Sequence, residues 1–287
     1  MSSAHYFTDR FEKLADRYDV VFCDVWGVVH NSIIAFPEAA DALGRFRRKG
    51  GAVILITNAP RPGEVVLRQL DRLGMPRTSY DGIVASGDVT RGIIAKRRGA
   101  IHHLGPERDL PIFEGLEVEF APLERADFTV CTGLFNDEGE TPDDYRELLS
   151  AMRARNLFML CANPDLVVER GHKLLYCAGA LADIYHSLGG EVLYAGKPHA
   201  PIYQEALAKA ETALARAVNH DRVLAIGDSI RTDLEGARAF GIDCLFVTRG
   251  IHSEELGNSE NPDAAALAGI FKKAGVAPTA VTHRLAW

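Results

Sequence analysis

Asp24 closes the run DVVFCD, Thr57 and Asn58 close GAVILITN, Lys197 stands in Gly-Lys-Pro, and Asp228 and Asp233 lie five positions apart in GDSIRTD. Singly, each is a weak signal. An Asp after an apolar run often caps a helix, Thr-Asn makes turns, and Gly-Lys-Pro is an ordinary loop. Together and in this order they are a strong one. A carboxylate, a hydroxyl and amide pair, a lysine and two further acids are what phosphoryl transfer requires: a nucleophile, donors for equatorial oxygens, a cation, and hard oxygen ligands for magnesium. Three crowded acids would also repel and raise one another's pKa unless a divalent cation and the lysine compensated them, so dependence on a divalent metal is expected from charge.

Such residues act together only if their elements bring them to one place. The β-branched runs DVVFCDV, GAVILIT, YDGIVAS, RVLAIGD and IDCLFVT alternate with amphipathic stretches such as PEAADALGRFRRKG and PGEVVLRQLDRLG. That alternation predicts an α/β fold, a Rossmann-like parallel sheet wrapped by helices, whose ligands collect beyond the carboxyl ends of the strands. Pro37 and Pro62 stand near helix starts, and Gly50 and Gly74 where helix C-caps belong. From 97 to 191 the texture changes to GLEVEF, DFTVC, a TPDDYRELLSAMRARN helix capped at Thr141, NLFMLCANPD and AGALADIYHSLGG. The expected organisation is an α/β core of residues 1–96 and 192–287 with a second α/β unit inserted over 97–191, which the resemblance named below makes a hydrolase core and its cap. The destination of the final VTHRLAW is not readable.

At 287 residues, 47% hydrophobic and 25% charged, the chain reads as globular, and a formal charge of −7 argues against a nucleic-acid partner. No apolar run is long enough to span a membrane, and the first residues have no signal-peptide core, so a cytoplasmic location is expected. The five cysteines are scattered without CxxC pairing, which suggests neither disulfides nor a zinc site.

The order of these residues resembles the haloacid dehalogenase superfamily, specifically its NagD-like class IIA branch, with a C2-type cap between the second and third motifs. CANPD resembles the Asn-Pro-Asp segment of that cap, SGDVT the Ser-rich segment before it, and GDSIRTDLEGA is the most specific match. The resemblance implies that Asp24 attacks phosphorus to form an aspartyl-phosphate and that Thr57, Asn58 and Lys197 hold phosphoryl oxygens. It further implies that Mg2+ is bound by Asp24, Asp228 and the Trp26 carbonyl, with Asp233 in support. The substrate would be a small phosphomonoester such as a sugar phosphate or nucleotide, and caps of this branch often mediate a homodimer.

One residue departs from the pattern. Family phosphatases carry Asp-x-Asp in the first motif, and the second Asp transfers the proton. Here the segment is Asp24-Val25-Trp26-Gly27, and an indole cannot do that work. Its loss costs about 10²–10⁴ in rate unless another group substitutes. His30 is one substitute, since histidine titrates near neutrality; the alternative is a loop histidine that faces solvent or orients a ligand. In the cap, Asp165 and His172 are either turn and loop residues or substrate contacts. Reactions needing no acid remain open: phosphoryl transfer to another acceptor, carbon–phosphorus cleavage through Lys173, the sole lysine between 97 and 191, or ligand sensing without turnover.

Overall fold

In the computed structural model, Val20–Asp24 and Ala52–Thr57 are buried along their whole length, as parallel strands covered on both faces must be. The structure describes residues 7–170, 173–253, 256–257 and 263–287. In chain order the strands are β1 (Val20–Asp24), β2 (Ala52–Thr57), β3 (Gly82–Ala85), β4 (Ile101–Leu104), β5 (Phe128–Cys131), β6 (Phe158–Cys161), β7 (Val167–Arg170), β8 (Lys173–Tyr176), β9 (Val192–Tyr194), β10 (Val223–Gly227), β11 (Asp243–Val247) and β12 (Ala280–Thr282). All five runs expected to be strands are strands. The contacts divide the chain into two compact units, one of Met1–Thr57, Leu67–Val84 and Tyr203–Trp287, the other of Asn58–Val66 and Ala85–Ile202.

The first unit is built on a six-stranded sheet of order β12-β11-β10-β1-β2-β3. β1 lies at its centre, parallel to both neighbours, with Cys23 opposite Ile226 and Asp24 opposite Ile56. This register brings the carboxyl ends of β1, β2 and β10 to one edge, so Asp24, Thr57 and the residues after Gly227 emerge side by side. The helix Pro37–Arg48 starts on its proline and buries Leu43 and Phe46; Gly50 beyond it takes the left-handed conformation at φ 92°, which favours glycine. The carboxyl-terminal segment, whose destination the sequence hides, adds β12 parallel to β11 and sets Trp287 edge-on to Phe11, ring centroids 5.8 Å apart.

The second unit has its own four-stranded sheet of order β4-β5-β6-β9 with every pair parallel. Its core packs Leu104, Leu149, Met152 and Tyr185 on one side and Ile101, Phe113, Phe128 and Leu160 on the other. β7 and β8 form a separate antiparallel hairpin. The expected helix over TPDDYRELLSAMRARN begins instead as a 3-10 turn, Pro142–Tyr145, before the α-helix Arg146–Ala154. The Asp144 carboxylate accepts from both the N–H and the hydroxyl of Thr141, at 2.7 and 3.0 Å, and closes that first turn. Among the described residues no helix is long and apolar enough to cross a membrane.

Candidate active site

Asp24, Asp228 and Asp233 come from three different places in the first unit. Asp24 is the last residue of β1, Asp228 follows β10, and Asp233 sits in the single π-helical turn Ile230–Leu234. All three are buried, 8, 3 and 2% exposed, and each offers one carboxylate oxygen such that the three atoms lie within 4.8 Å of one another.

Main-chain donors and missing side chains hold this cluster. The Ile251 N–H donates to Asp228 Oδ2 at 2.8 Å, and the Ser229 N–H to Asp233 Oδ2 at 3.2 Å. A Cβ on Gly27 would stand 2.1 Å from Asp228 Oδ2, one on Gly250 1.7 Å from the same atom, and one on Gly227 2.1 Å from Asp233 Cγ. No side chain fits at those distances, so the glycines are what lets the carboxylates approach. Gly27 also has φ +82°. Three carboxylates buried together offer hard oxygen donors that fit a magnesium ion, which takes carboxylate oxygens and keeps several waters.

The chain after Asp24 folds back at once. The Val25 carbonyl accepts from the N–H groups of Val29 and His30, and the Gly27 N–H donates to the His30 carbonyl. Within this turn the Trp26 indole N–H donates to Ser32 Oγ at 3.1 Å, and the Ser32 N–H donates to His30 Nδ1 at 2.9 Å. His30 is buried, not solvent-facing. Burial pushes its pKa down to about 4, so at neutral pH it is an uncharged imidazole with its hydrogen on Nε2.

In the second unit Asn58 organises a cluster of its own. Its Oδ1 accepts from the Lys197 N–H at 2.7 Å, while its Nδ2 donates to the Lys197 carbonyl at 3.0 Å and to Asp165 Oδ1 at 2.9 Å. Both amide hydrogens are therefore engaged. Asp165 is held in turn by the Asn163 side chain, whose Oδ1 accepts the Asp165 N–H at 3.1 Å. Lys197 is 2% exposed. A Cβ on Gly196 would stand 2.4 Å from Asn58 Oδ1, so this glycine is required for the approach. Thr57, 9% exposed, ends β2 one residue before Asn58. His172 lies outside the described residues. Lys173 is exposed on β8.

Sequence reasoning missed the Ile251 N–H and the packing roles of Gly27 and Gly250. A main-chain donor leaves no mark in residue types. Gly250 does leave a faint one, three residues beyond the end of a buried strand at the edge where ligands collect.

An open parallel α/β sheet with a magnesium-competent acidic cluster at its carboxyl edge defines a hydrolase of the phosphoryl-transfer type of architecture. The family model for haloacid dehalogenase-like hydrolases matches residues 21–119, and a second, HAD-hydrolase-like model matches residues 194–271. A solved haloacid dehalogenase-like hydrolase from Brucella suis is 48% identical with a TM-score of 0.86, over 97% of this chain and 100% of that one. The chain belongs to the haloacid dehalogenase-like hydrolases, and its similarities lie in the NagD-like branch. It is 26% identical to the D-glycerol 3-phosphate phosphatase of Mycobacterium tuberculosis over 84% of this chain, spanning 66% of that protein's length. It is likewise 26% identical to the ribonucleotide monophosphatase NagD of Escherichia coli, over 81% of this chain and 88% of that protein.

Proposed function

We propose that this protein is a magnesium-dependent phosphomonoesterase acting on a small phosphorylated metabolite through an aspartyl-phosphate on Asp24. The observation that carries the reading is the cluster of Asp24, Asp228 and Asp233, buried carboxylates with an oxygen of each within 4.8 Å of the others. The names of its relatives support hydrolysis of a phosphate ester. Asp24, Asp228 and the Trp26 carbonyl would hold the metal, with Asp233 beside them; when bound, it would neutralise the carboxylates and the phosphoryl oxygens.

In the first step an Asp24 oxygen attacks phosphorus and the bond to the leaving oxygen breaks. Water then attacks the acyl phosphate and releases inorganic phosphate. The Thr57 hydroxyl and the Lys197 ammonium are the donors assigned to the phosphoryl oxygens. The main-chain N–H is the group assigned at Asn58, because its side-chain amide is committed to Lys197 and Asp165. His30 stays neutral with Nδ1 accepting from Ser32, so it carries no imidazolium proton to give at neutral pH. Without a general acid in the first motif, turnover depends on the leaving group, and esters of acidic alcohols or phenols react fastest. Five buried free thiols support a cytoplasmic setting.

The test is phosphate release from a panel of phosphomonoesters with Mg2+. Wild-type activity is expected to vanish in EDTA and to fall at least ~10³-fold in Asp24→Asn, since the nucleophile is lost. Turnover that survives Asp24→Asn refutes the covalent route.

A further inference from the structure

Arg61 lies three residues after Asn58, in Thr-Asn-Ala-Pro-Arg-Pro-Gly, and the second unit holds it firmly. The Gly87 N–H donates to the Ala59 carbonyl at 3.1 Å, and the Gly63 N–H donates to Asp88 Oδ1 at 2.9 Å. A Cβ on Gly87 would stand 2.2 Å from the Arg61 carbonyl oxygen, so the backbone of Arg61 presses directly on the first turn of the helix Ser86–Ile94. Pro60 and Pro62 restrict φ on either side of it. With only Ala59 and Pro60 between them, the Cα atoms of Asn58 and Arg61 can be at most about 11 Å apart.

The side chain is tethered at one end only. Arg61 Nε faces Asp109 Oδ1 at 3.5 Å, an ion pair at the long limit of hydrogen bonding. Asp109 is 3% exposed, and its Oδ1 is buried without a hydrogen-bond partner. Other arginines of this protein engage their carboxylates through the whole fork. Arg47 reaches Asp81 through Nε at 2.9 Å and Nη2 at 2.5 Å, and Arg77 reaches Asp71 through Nε at 2.7 Å and Nη2 at 2.6 Å. At Arg61 the closest approach to its carboxylate is the 3.5 Å from Nε, and the side chain is 37% exposed.

A purely structural pair would close to hydrogen-bonding distance, because an orphaned buried carboxylate oxygen is costly. This pair stays long, with a buried acid on the Nε side of a guanidinium whose side chain is partly exposed. Such a planar fork matches carboxylate and phosphate oxygens in bidentate fashion.

We propose that Arg61 is a specificity residue that recognises a second anionic group, a carboxylate or a further phosphate, on the same substrate whose phosphoryl group is bound by the loop that begins at Asn58. This rests on the phosphatase reading for the reaction and adds the class of substrate: a phosphomonoester that bears a second acidic group a short carbon chain away. Asp109 is its positioning residue.

The experiment compares glycerol 3-phosphate with 3-phosphoglycerate, which replaces the hydroxymethyl by a carboxylate, and with glycerol 1,3-bisphosphate, which replaces it by a phosphate ester. The wild type is expected to favour one anionic member at least tenfold in kcat/KM, and the better of the two names the second group. In Arg61→Met that preference is expected to fall by about 10–10²-fold, as loss of a charge-assisted hydrogen bond implies, with the change in KM; Arg61→Lys should restore part of it. A wild type without preference overturns the proposal, as does an Arg61→Met variant in which all substrates lose equally. Calorimetric binding of the same compounds to Asp24→Asn keeps the two readings apart. If no compound is hydrolysed by the wild type, the phosphatase reading fails, while an Arg61-dependent difference in Kd still sustains this one and equal Kd values overturn it.

Discussion

The indole N–H of Trp26 donates to Ser32 Oγ at 3.1 Å, so the residue standing where the sequence motif leads one to expect a proton carrier is a strut of the turn that follows Asp24. Ser32 has φ 72°, a left-handed conformation that a serine adopts at a cost, and the bonds from Trp26 and to His30 Nδ1 hold it there. Trp26→Asp is expected to raise kcat for alkyl phosphates by ~10-fold or more, part of the 10²–10⁴ that a general acid supplies, and to change aryl phosphates little. Trp26→Phe removes only the bond to Ser32 and should not reproduce the gain. Steady-state kinetics on 4-nitrophenyl phosphate and glycerol 3-phosphate decide it; a Trp26→Asp variant slower on both would assign the indole a role of its own.

Gly250 and Gly27 both abut Asp228 Oδ2. Gly250→Ala should displace that carboxylate and raise the Mg2+ concentration for half-maximal activity by at least ~10-fold, the scale of losing a residue that orients a ligand. Gly269 in the helix Ala264–Ala274 has nothing within 4 Å. Gly269→Ala is therefore the control, expected to leave the metal titration unchanged and to add about 0.5–1 kcal/mol of helix stability.

An ion that binds the folded chain and not the unfolded one stabilises the fold, so saturating Mg2+ should raise the thermal midpoint, by the equivalent of ~2.7 kcal/mol at a hundredfold excess over Kd. Asp233→Asn should lose part of that shift. A midpoint unmoved by Mg2+, followed by differential scanning calorimetry, would argue that the cluster binds no ion.

His30 adds a pH term. Its pKa in the fold is about 4, set by burial, against an ordinary value of 6.5. Above pH 6.5 the imidazole is neutral in both folded and unfolded chains, and its contribution to stability is complete. As pH falls from 6.5 toward 4 only the unfolded chain takes up the proton, so about 3 kcal/mol is lost across that window. His30→Asn, which keeps an acceptor near Nδ1, should flatten this part of the denaturation profile; an equally steep profile would place the acid sensitivity elsewhere.

The parallel sheet was legible because β1, β2, β10 and β11 are nearly unbroken apolar runs, and the acidic cluster because its members stand at or just beyond strand ends. Trp26 announced itself as an anomaly by residue type. The rest depended on partners distant in sequence. Nothing in TNAPRPG says that Arg61 will face Asp109, and nothing in GVVHNS says that His30 will be buried with Nδ1 committed to Ser32. The turn at Thr141 was read as a helix start because capping residues look alike for 3-10 and α turns, and the main-chain bond from the Asp144 N–H to the Thr141 carbonyl three residues back, at 3.1 Å, is what makes this one 3-10.

The side chain of Asn58 meets its partner Lys197 across 139 positions of chain. During synthesis, at ~5–20 residues per second, the loop that carries Asn58 must wait several seconds before the residue that locks it has been made. β1 waits longer still, since its neighbour β10 begins at Val223. A nascent or truncated chain that ends before these positions holds the nucleophile in an open sheet edge, so the acidic cluster can assemble only when nearly the whole polypeptide is present.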